Sequence, residues 1–257
     1  MSSESATGMG NKVAQVTLAF WITKICATTL GETGGDQLSI TMHVGYALSS
    51  LILIGLFLLI LVFQLGARRF HPPIYWAVIL TTSTAGTTIS DFMDRTLALG
   101  YAKGATILMI ALLLVLTTWH VSEKSISVDR IRSRRVELFY WAAILVSNTL
   151  GTALGDFLSD DSGLGFIGGA SLIGGLILLA AWAYAFTRIN RTALFWIAFV
   201  LTRPFGATFG DLLTKPTNQG GLNLGTAGSS LVLGAVLVTL VIISTIRQRR
   251  GVMPTEP

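Results

Sequence analysis

Charge is scarce in this 257-residue chain, and cysteine and histidine are scarcer still. Only 12% of the residues are charged, about half the share found in ordinary soluble domains, which excludes a solvated globule as the main architecture. The one cysteine, Cys26, excludes an intrachain disulfide. With His43, His71 and His120 standing far apart, no cluster of soft ligands of the zinc type can form from that inventory. No cofactor is implied. The net charge of +5 is carried by loops that meet lipid headgroups, so no nucleic-acid partner is needed to explain it.

What is present is apolar sequence. Hydrophobic residues make up 52% of the chain, and the mean hydropathy is +0.68. A bilayer core about 30 Å thick asks for roughly 20 mostly apolar residues per helix. Eight stretches qualify, approximately 13–36, 44–66, 74–93, 101–119, 137–158, 164–187, 193–213 and 224–246. The expected fold is an all-α polytopic membrane protein in contact with the lipid bilayer. The opening twelve residues are polar and lead into a helix holding Lys24 and Glu32, a poor secretory signal, so this helix is counted as the first span. Residues 1–12 form a tail, 13–120 the first four helices, 121–135 a basic loop, 136–246 the last four helices and 247–257 a second basic tail. Arg68 and Arg69, the cluster from Lys124 to Arg135, Arg188, Arg191 and Arg247 to Arg250 fall on one side with Lys12, against Arg95, Lys103 and Lys215 on the other. By the positive-inside rule both termini are expected in the cytoplasm.

The spans repeat. Trp21, Trp76, Trp141 and Trp196 precede Gly31, Gly86, Gly151 and Gly206 by ten residues, and Asp36, Asp91, Asp156 and Asp211 by fifteen. A further glycine, Gly45, Gly100 or Gly165, follows the aspartate by nine residues in three copies; Gly225 follows by fourteen in the fourth, which places an insertion near Thr217 to Gly220. The second half repeats the first at an offset of 120 residues. Four tandem units of two helices each are the natural reading.

Each position in the unit carries an expectation. The tryptophans near basic or proline-containing loops are read as an interfacial aromatic belt, with a ring lining a path as the alternative. The pairs Gly31 and Gly35, Gly86 and Ser90, Gly151 and Gly155, and Gly206 and Gly210 are small-xxx-small patches that let helices approach closely. Such a patch carries the neighbouring aspartate into a helix interface, away from lipid, where charge is costly. The competing reading ends the helices at Gly35, Gly155 and Gly210, with the aspartates in local turns at the outer interface.

The copies differ in between. Three residues after the tryptophan stand Lys24, Ile79, Ile144 and Phe199; seven after it, Thr28, Ser83, Asn148 and Arg203; eleven after it, Glu32, Thr87, Thr152 and Ala207. On a helix of 3.6 residues per turn, Lys24, Thr28, Gly31, Glu32 and Gly35 share an arc of about 100°, a polar face that should point inward. Lys24 is close enough to the cytoplasmic edge to snorkel. Pro204 removes a backbone donor and invites a kink or an unwound turn beside Arg203, which makes 203–211 the first choice for part of a site. Glu32, Asp36, Asp91, Asp156 and Asp211 outnumber Lys24 and Arg203 by three. A surplus of that kind must bind protons or cations, or face water. Carboxylates with hydroxyls suit hard ions such as Mg²⁺, Mn²⁺ or Ca²⁺.

The segments TTLGETGGD, STAGTTISD, NTLGTALGD and RPFGATFGD, with FW or YW upstream, resemble a bacterial membrane family of unknown function built from four tandem repeats, each with two transmembrane regions and a characteristic tryptophan. The resemblance spans residues 13 to 246 and implies a bacterial cytoplasmic membrane; it brings no activity or catalytic residue. From the residues themselves, the leading expectation is transport of a small cation, exchanged for protons, with Glu32 and the aspartates as ligands or proton carriers and Arg203 as counter-charge. A ring of four aspartates in a pore is a variant. A non-transporting sensor or assembly partner is the second class. An intramembrane aspartyl hydrolase is the third, weakened because no copy has the Gly-x-Gly-Asp spacing of such proteases. A sole anion substrate is disfavoured by the carboxylate surplus.

Overall fold

A computed structural model of the chain describes residues 12–128, 131 and 133–250. Residues 1–11 and 251–257 of the two tails, and Asp129, Arg130 and Arg132 of the basic loop, lie outside the described residues. Eight long helices and no strand occur among the described residues: α1 (Leu18–Asp36), α2 (Tyr46–Gly66), α3 (Pro72–Asp91), α4 (Tyr101–Glu123), α5 (Arg134–Asp156), α6 (Gly165–Phe186), α7 (Arg191–Thr214) and α8 (Thr226–Arg249). The ends follow local chemistry. Thr17 and Ser133 cap α1 and α5 through their hydroxyls, and the Asn190 carboxamide accepts from the amides of Thr192 and Ala193 at the start of α7.

The odd helices form an inner ring in which α1 packs on α3, α3 on α5, α5 on α7 and α7 back on α1. Each even helix leans on the odd helix of the next unit: α2 on α3, α4 on α5, α6 on α7, and α8 on α1. The repeat is therefore cyclic, and no unit can bury its own polar helix alone. The buried share of the apolar stretch is 67% for α5 and 61% for α7, against 28% for α2, α4 and α6 and 11% for α8. Six helices are long and apolar enough to cross a membrane: α2, α4, α5, α6, α7 and α8. Of the eight expected spans, α1 and α3 do not reach this measure of length and composition. Their polar positions, such as Lys24, Glu32, Thr82 and Thr87, are buried in the ring, and ring-facing residues need not be apolar.

Glycine makes the ring possible. A Cβ on Gly31 would sit 2.5 Å from the Ser83 Cβ, one on Gly86 2.9 Å from the Asn148 backbone, one on Gly151 2.9 Å from the Pro204 ring, and one on Gly206 2.6 Å from the Thr28 hydroxyl. In every junction the glycine of one unit meets the residue seven after the tryptophan in the next. Gly35 meets Thr87, Gly155 meets Ala207 and Gly210 meets Glu32 in the same manner one turn further on. The helices do not end at Gly35, Gly155 or Gly210, as the competing reading required; α1 and α5 run on through their aspartates and α7 to Thr214.

Beyond the aspartates, α1, α3 and α5 widen into five-residue π-helical turns at Gln37–Thr41, Phe92–Thr96 and Phe157–Asp161. The fourth copy lacks this turn and carries its insertion as a short 3₁₀ turn, Thr217–Gln219. Gly45, Gly100, Gly165 and Gly225 take φ of 80°, 74°, 65° and 75°, which explains glycine at the point where the chain turns back. Pro204 does not unwind α7, which stays helical from Arg191 to Thr214.

Candidate functional site

The two ends of the inner ring have opposite chemistry. At the end where α1, α3, α5 and α7 begin, the aromatic residue before each tryptophan packs across the junctions. Phe20 meets Trp76 at 5.7 Å, Tyr75 meets Trp141 at 5.5 Å and Phe195 meets Trp21 at 5.8 Å between ring centroids, while the Tyr75 and Tyr140 hydroxyls are hydrogen-bonded at 2.6 Å. Trp76, Trp141 and Trp196 are buried. The interfacial-belt reading is therefore wrong for these three: the aromatics form a layer inside the bundle, because the even helices cover the outside.

Beneath that layer the chain before α1 tucks in. The Lys12 ammonium donates to the Glu137 carboxylate and to the Leu65 carbonyl, and the Gln64 amide donates to Glu137 and to the Lys12 carbonyl. Lys12, Gln64 and Glu137 are all buried. Sequence reasoning placed Lys12 in a polar tail and missed this cluster.

At the opposite end the four aspartates gather, each 4% exposed or less. They are held in two clamps. Arg95 Nε lies 2.8 Å from Asp91 Oδ1, and its Nη2 lies 3.5 Å from Asp156 Oδ2. Lys215 Nζ lies 3.1 Å from Asp211 Oδ1 and 3.0 Å from Asp36 Oδ2. Each cation thus joins its own unit's aspartate to that of the next unit. Arg95 and Lys215 are both nineteen residues after their tryptophan and 120 residues apart, so the clamps obey the two-fold relation of the halves. Burial alone would lower the Lys215 amine, but Asp211 and Asp36 outweigh it and hold it above its ordinary range. The same balance, with Asp91 and Asp156, raises Arg95.

Sequence reasoning left both cations in the opposite-side loops and counted a surplus of three carboxylates. That count is corrected here: with Asp94, which is buried beside Arg95, six carboxylates face Lys24, Arg203, Arg95 and Lys215, and the surplus is two. The signal was available, since each cation follows its aspartate by four residues.

Glu32 separates the clamps. Atoms of Glu32, Asp36 and Asp211 come within 4.8 Å of one another, all three residues being buried. Asp91 and Asp156 do not join that cluster. Glu32 in turn accepts from Arg203 Nη2 at 2.9 Å, and the same nitrogen donates to the Thr87 hydroxyl at 2.5 Å. Arg203 is fully buried and crosses the ring from α7 to α1 and α3.

Lys24 does not snorkel. It is fully buried, with its ammonium 3.9 Å from the centroid of the Phe199 ring. Thr28 donates to the carbonyls of Ile25 and Thr202, and the Asn148 amide donates to the Thr82 hydroxyl, so both knit the ring. Pro204 packs against Gly151 and Gly155.

The family described as Repeat of Unknown Function (DUF347) matches four consecutive segments, residues 19–70, 74–125, 139–190 and 194–250. These are the four units, each an inner helix with the outer helix that follows it. Neither the curated proteins nor the solved structures returned a match.

Proposed function

The chain belongs to that family of repeats with no assigned activity, and from the charges inside its ring we propose that it carries a small cation across the bacterial cytoplasmic membrane in exchange for protons. In this reading all eight helices span, α1 and α3 as members lined by protein, and both termini are cytoplasmic. The excess of arginine and lysine at the aromatic end supports that orientation. Parallel repeats about an axis along the membrane normal are a known transporter plan, with sites where the repeats meet.

One observation carries the reading: Glu32, Asp36 and Asp211 converge within 4.8 Å at the junction of the first and last units. Three carboxylates in a buried cluster need compensation, and here the compensation on the open side is a lysine. A lysine is a compact charge on a flexible stem. An incoming cation or proton can take its place while the amine swings away, which makes Lys215 a tethered competitor. Hard oxygen donors favour Mg²⁺, Mn²⁺, Ca²⁺ or Na⁺ over soft metals. A plain pore is disfavoured because Arg203 and the aromatic layer lie across the ring axis.

A second reading has its own support. Because all four aspartates are clamped, they serve equally as ties in a non-transporting sensor or assembly partner. A proton-sharing hydrolase pair finds no such support, since the two aspartates of the cluster share Lys215.

Reconstitution separates the readings. In proteoliposomes carrying a pH gradient, flux of one of these cations should fall to background in Asp36→Asn and Asp211→Asn. Full flux in both variants, or no flux of any of these ions in either gradient direction, would overturn the transport reading.

A further inference from the structure

The carboxylate end is acidic on balance, yet the middle of the ring is not. Lys24 and Arg203 are both fully buried there, on the packed helices α1 and α7. Phe199, against which the Lys24 ammonium rests, precedes Arg203 by one helical turn. Glu32 is the one carboxylate paired with either cation among the described residues, and it accepts from Arg203 Nη2 and from the Thr87 hydroxyl. With Lys24 protonated, two positive charges stand against one negative in this layer, a surplus of one positive charge. In a low-dielectric interior an uncompensated charge costs several kcal/mol.

On α1, α3 and α7 the unsatisfied groups near Arg203 can all donate, while on α5 the Asn148 amide oxygen is an unpartnered acceptor. Lys24 Nζ, Arg203 Nε and Nη1, and the Ser83 hydroxyl are buried without a hydrogen-bond partner among the described residues. Buried polar groups are nearly always satisfied, so several left over in one layer, on α1, α3 and α7, point to a guest that accepts hydrogen bonds. Ser83 belongs to the same neighbourhood, since its carbonyl receives Arg203 Nη2 at 3.4 Å and its side chain lies against Gly31 of α1. The helices approach to backbone contact at Gly31 and Gly206, which restricts any guest to a few atoms.

We propose that the ring centre binds one small monovalent anion, of halide size, held by Lys24, Arg203 and Ser83. One negative charge balances the layer, and the donors present match its needs. Arg203 links this layer to the carboxylate cluster through Glu32, but Lys24 and Ser83 are not members of that cluster, so a change at Lys24 tests the anion apart from the cation reading. It also revises the expectation that a carboxylate surplus disfavours anions: the surplus sits at one end, and the cations a few turns away.

The test uses the full-length protein purified in detergent. At fixed ionic strength, replacing gluconate by chloride or bromide should raise the melting temperature by roughly 5 °C or more at a hundredfold excess over the dissociation constant. Lys24→Met should melt at least as high as wild type without halide and should not respond to it. If that variant does not fold, bromide anomalous scattering from wild-type crystals supplies the second readout, with a peak expected within hydrogen-bonding reach of Lys24 Nζ. A wild-type melting temperature indifferent to halide, an equal response in Lys24→Met, or no bromide peak beside Lys24 would each overturn the proposal; the first would mean that Lys24 is held as the neutral amine.

Discussion

The Arg95 clamp and the Lys215 clamp are the same device built twice, 120 residues apart, and among the described residues only the Lys215 clamp brings three carboxylates within 4.8 Å of one another. Arg95 ties Asp91 to Asp156 across α3 and α5; Lys215 ties Asp211 to Asp36 across α7 and α1. At the position where the first unit has Glu32, the third has Thr152. Arg95 also lies over the Tyr101 ring at 5.6 Å, and a guanidinium is a rigid fork, whereas an ammonium on a long stem is easily displaced. Symmetry thus supplies the scaffold, and the transport proposal rests on the departures from it. On that proposal the Arg95 side is a tie and the Lys215 side the cation site.

The largest way to break the comparison is at the residue that holds Glu32 in place. Arg203→Met leaves a buried carboxylate without its partner and should cost about 3–5 kcal/mol of stability; adding Glu32→Gln should recover most of that loss in denaturation experiments. Arg95→Met leaves the buried Asp91 and Asp156 facing each other and should also destabilise, but by less than Arg203→Met, because the Arg95 side chain is 35% exposed and water can reach the vacated place. Equal losses for Arg203→Met and Arg95→Met would erase the distinction.

Next come the junctions that carry the clamps. Gly206→Ala and Gly86→Ala should each cost about 1–3 kcal/mol by overpacking, because a Cβ at either position meets the neighbouring helix at less than 3 Å. Gly55→Ala, where nothing lies within 4 Å, should be neutral or stabilising. Only Gly206→Ala, at the junction of α7 and α1, should also change the cation concentration for half-maximal flux.

A smaller effect separates the aspartates themselves. Asp36→Asn should weaken cation binding at least about tenfold, or ~1.4 kcal/mol, while Asp156→Asn should leave the binding constant in titrations nearly unchanged. The smallest shift concerns the tethered competitor. Lys215→Met should lower the half-saturating cation concentration by a few fold, and Arg95→Met should not. Because Lys215 is held above its ordinary range, its favourable contribution is complete below the unfolded value and is lost only as pH rises through the higher folded value. Release of this clamp near neutral pH must therefore come from the carboxylates.

Much of this arrangement was legible in the residues. The tryptophan-glycine-aspartate register located all four units, and the start of every helix from α2 to α8 falls within three residues of its expected place. The inward polar face of α1 follows from Lys24, Thr28, Gly31, Glu32 and Gly35, and the structure buries all five. What escaped was the closing of the ring. No pattern within one unit says that α8 returns to α1, and that closure is what covers the tryptophans and unites Asp36 with Asp211 and Lys215. Arg95 and Lys215 escaped because charge beyond the end of a span reads as loop charge. The π-helical turn after Asp91 in one case, and the last turn of α7 in the other, bring those cations back onto the aspartates.

The most direct test of the central claim is the thermal stability of the detergent-purified protein across Mn²⁺, Mg²⁺, Ca²⁺ and Na⁺, beside Asp36→Asn and Asp156→Asn. A ligand that binds only the folded state stabilises it in proportion to occupancy. The account predicts that one hard cation raises the melting temperature of wild type and Asp156→Asn, and leaves Asp36→Asn unmoved. Stabilisation by no cation, or a response that survives in Asp36→Asn and disappears in Asp156→Asn, would contradict it.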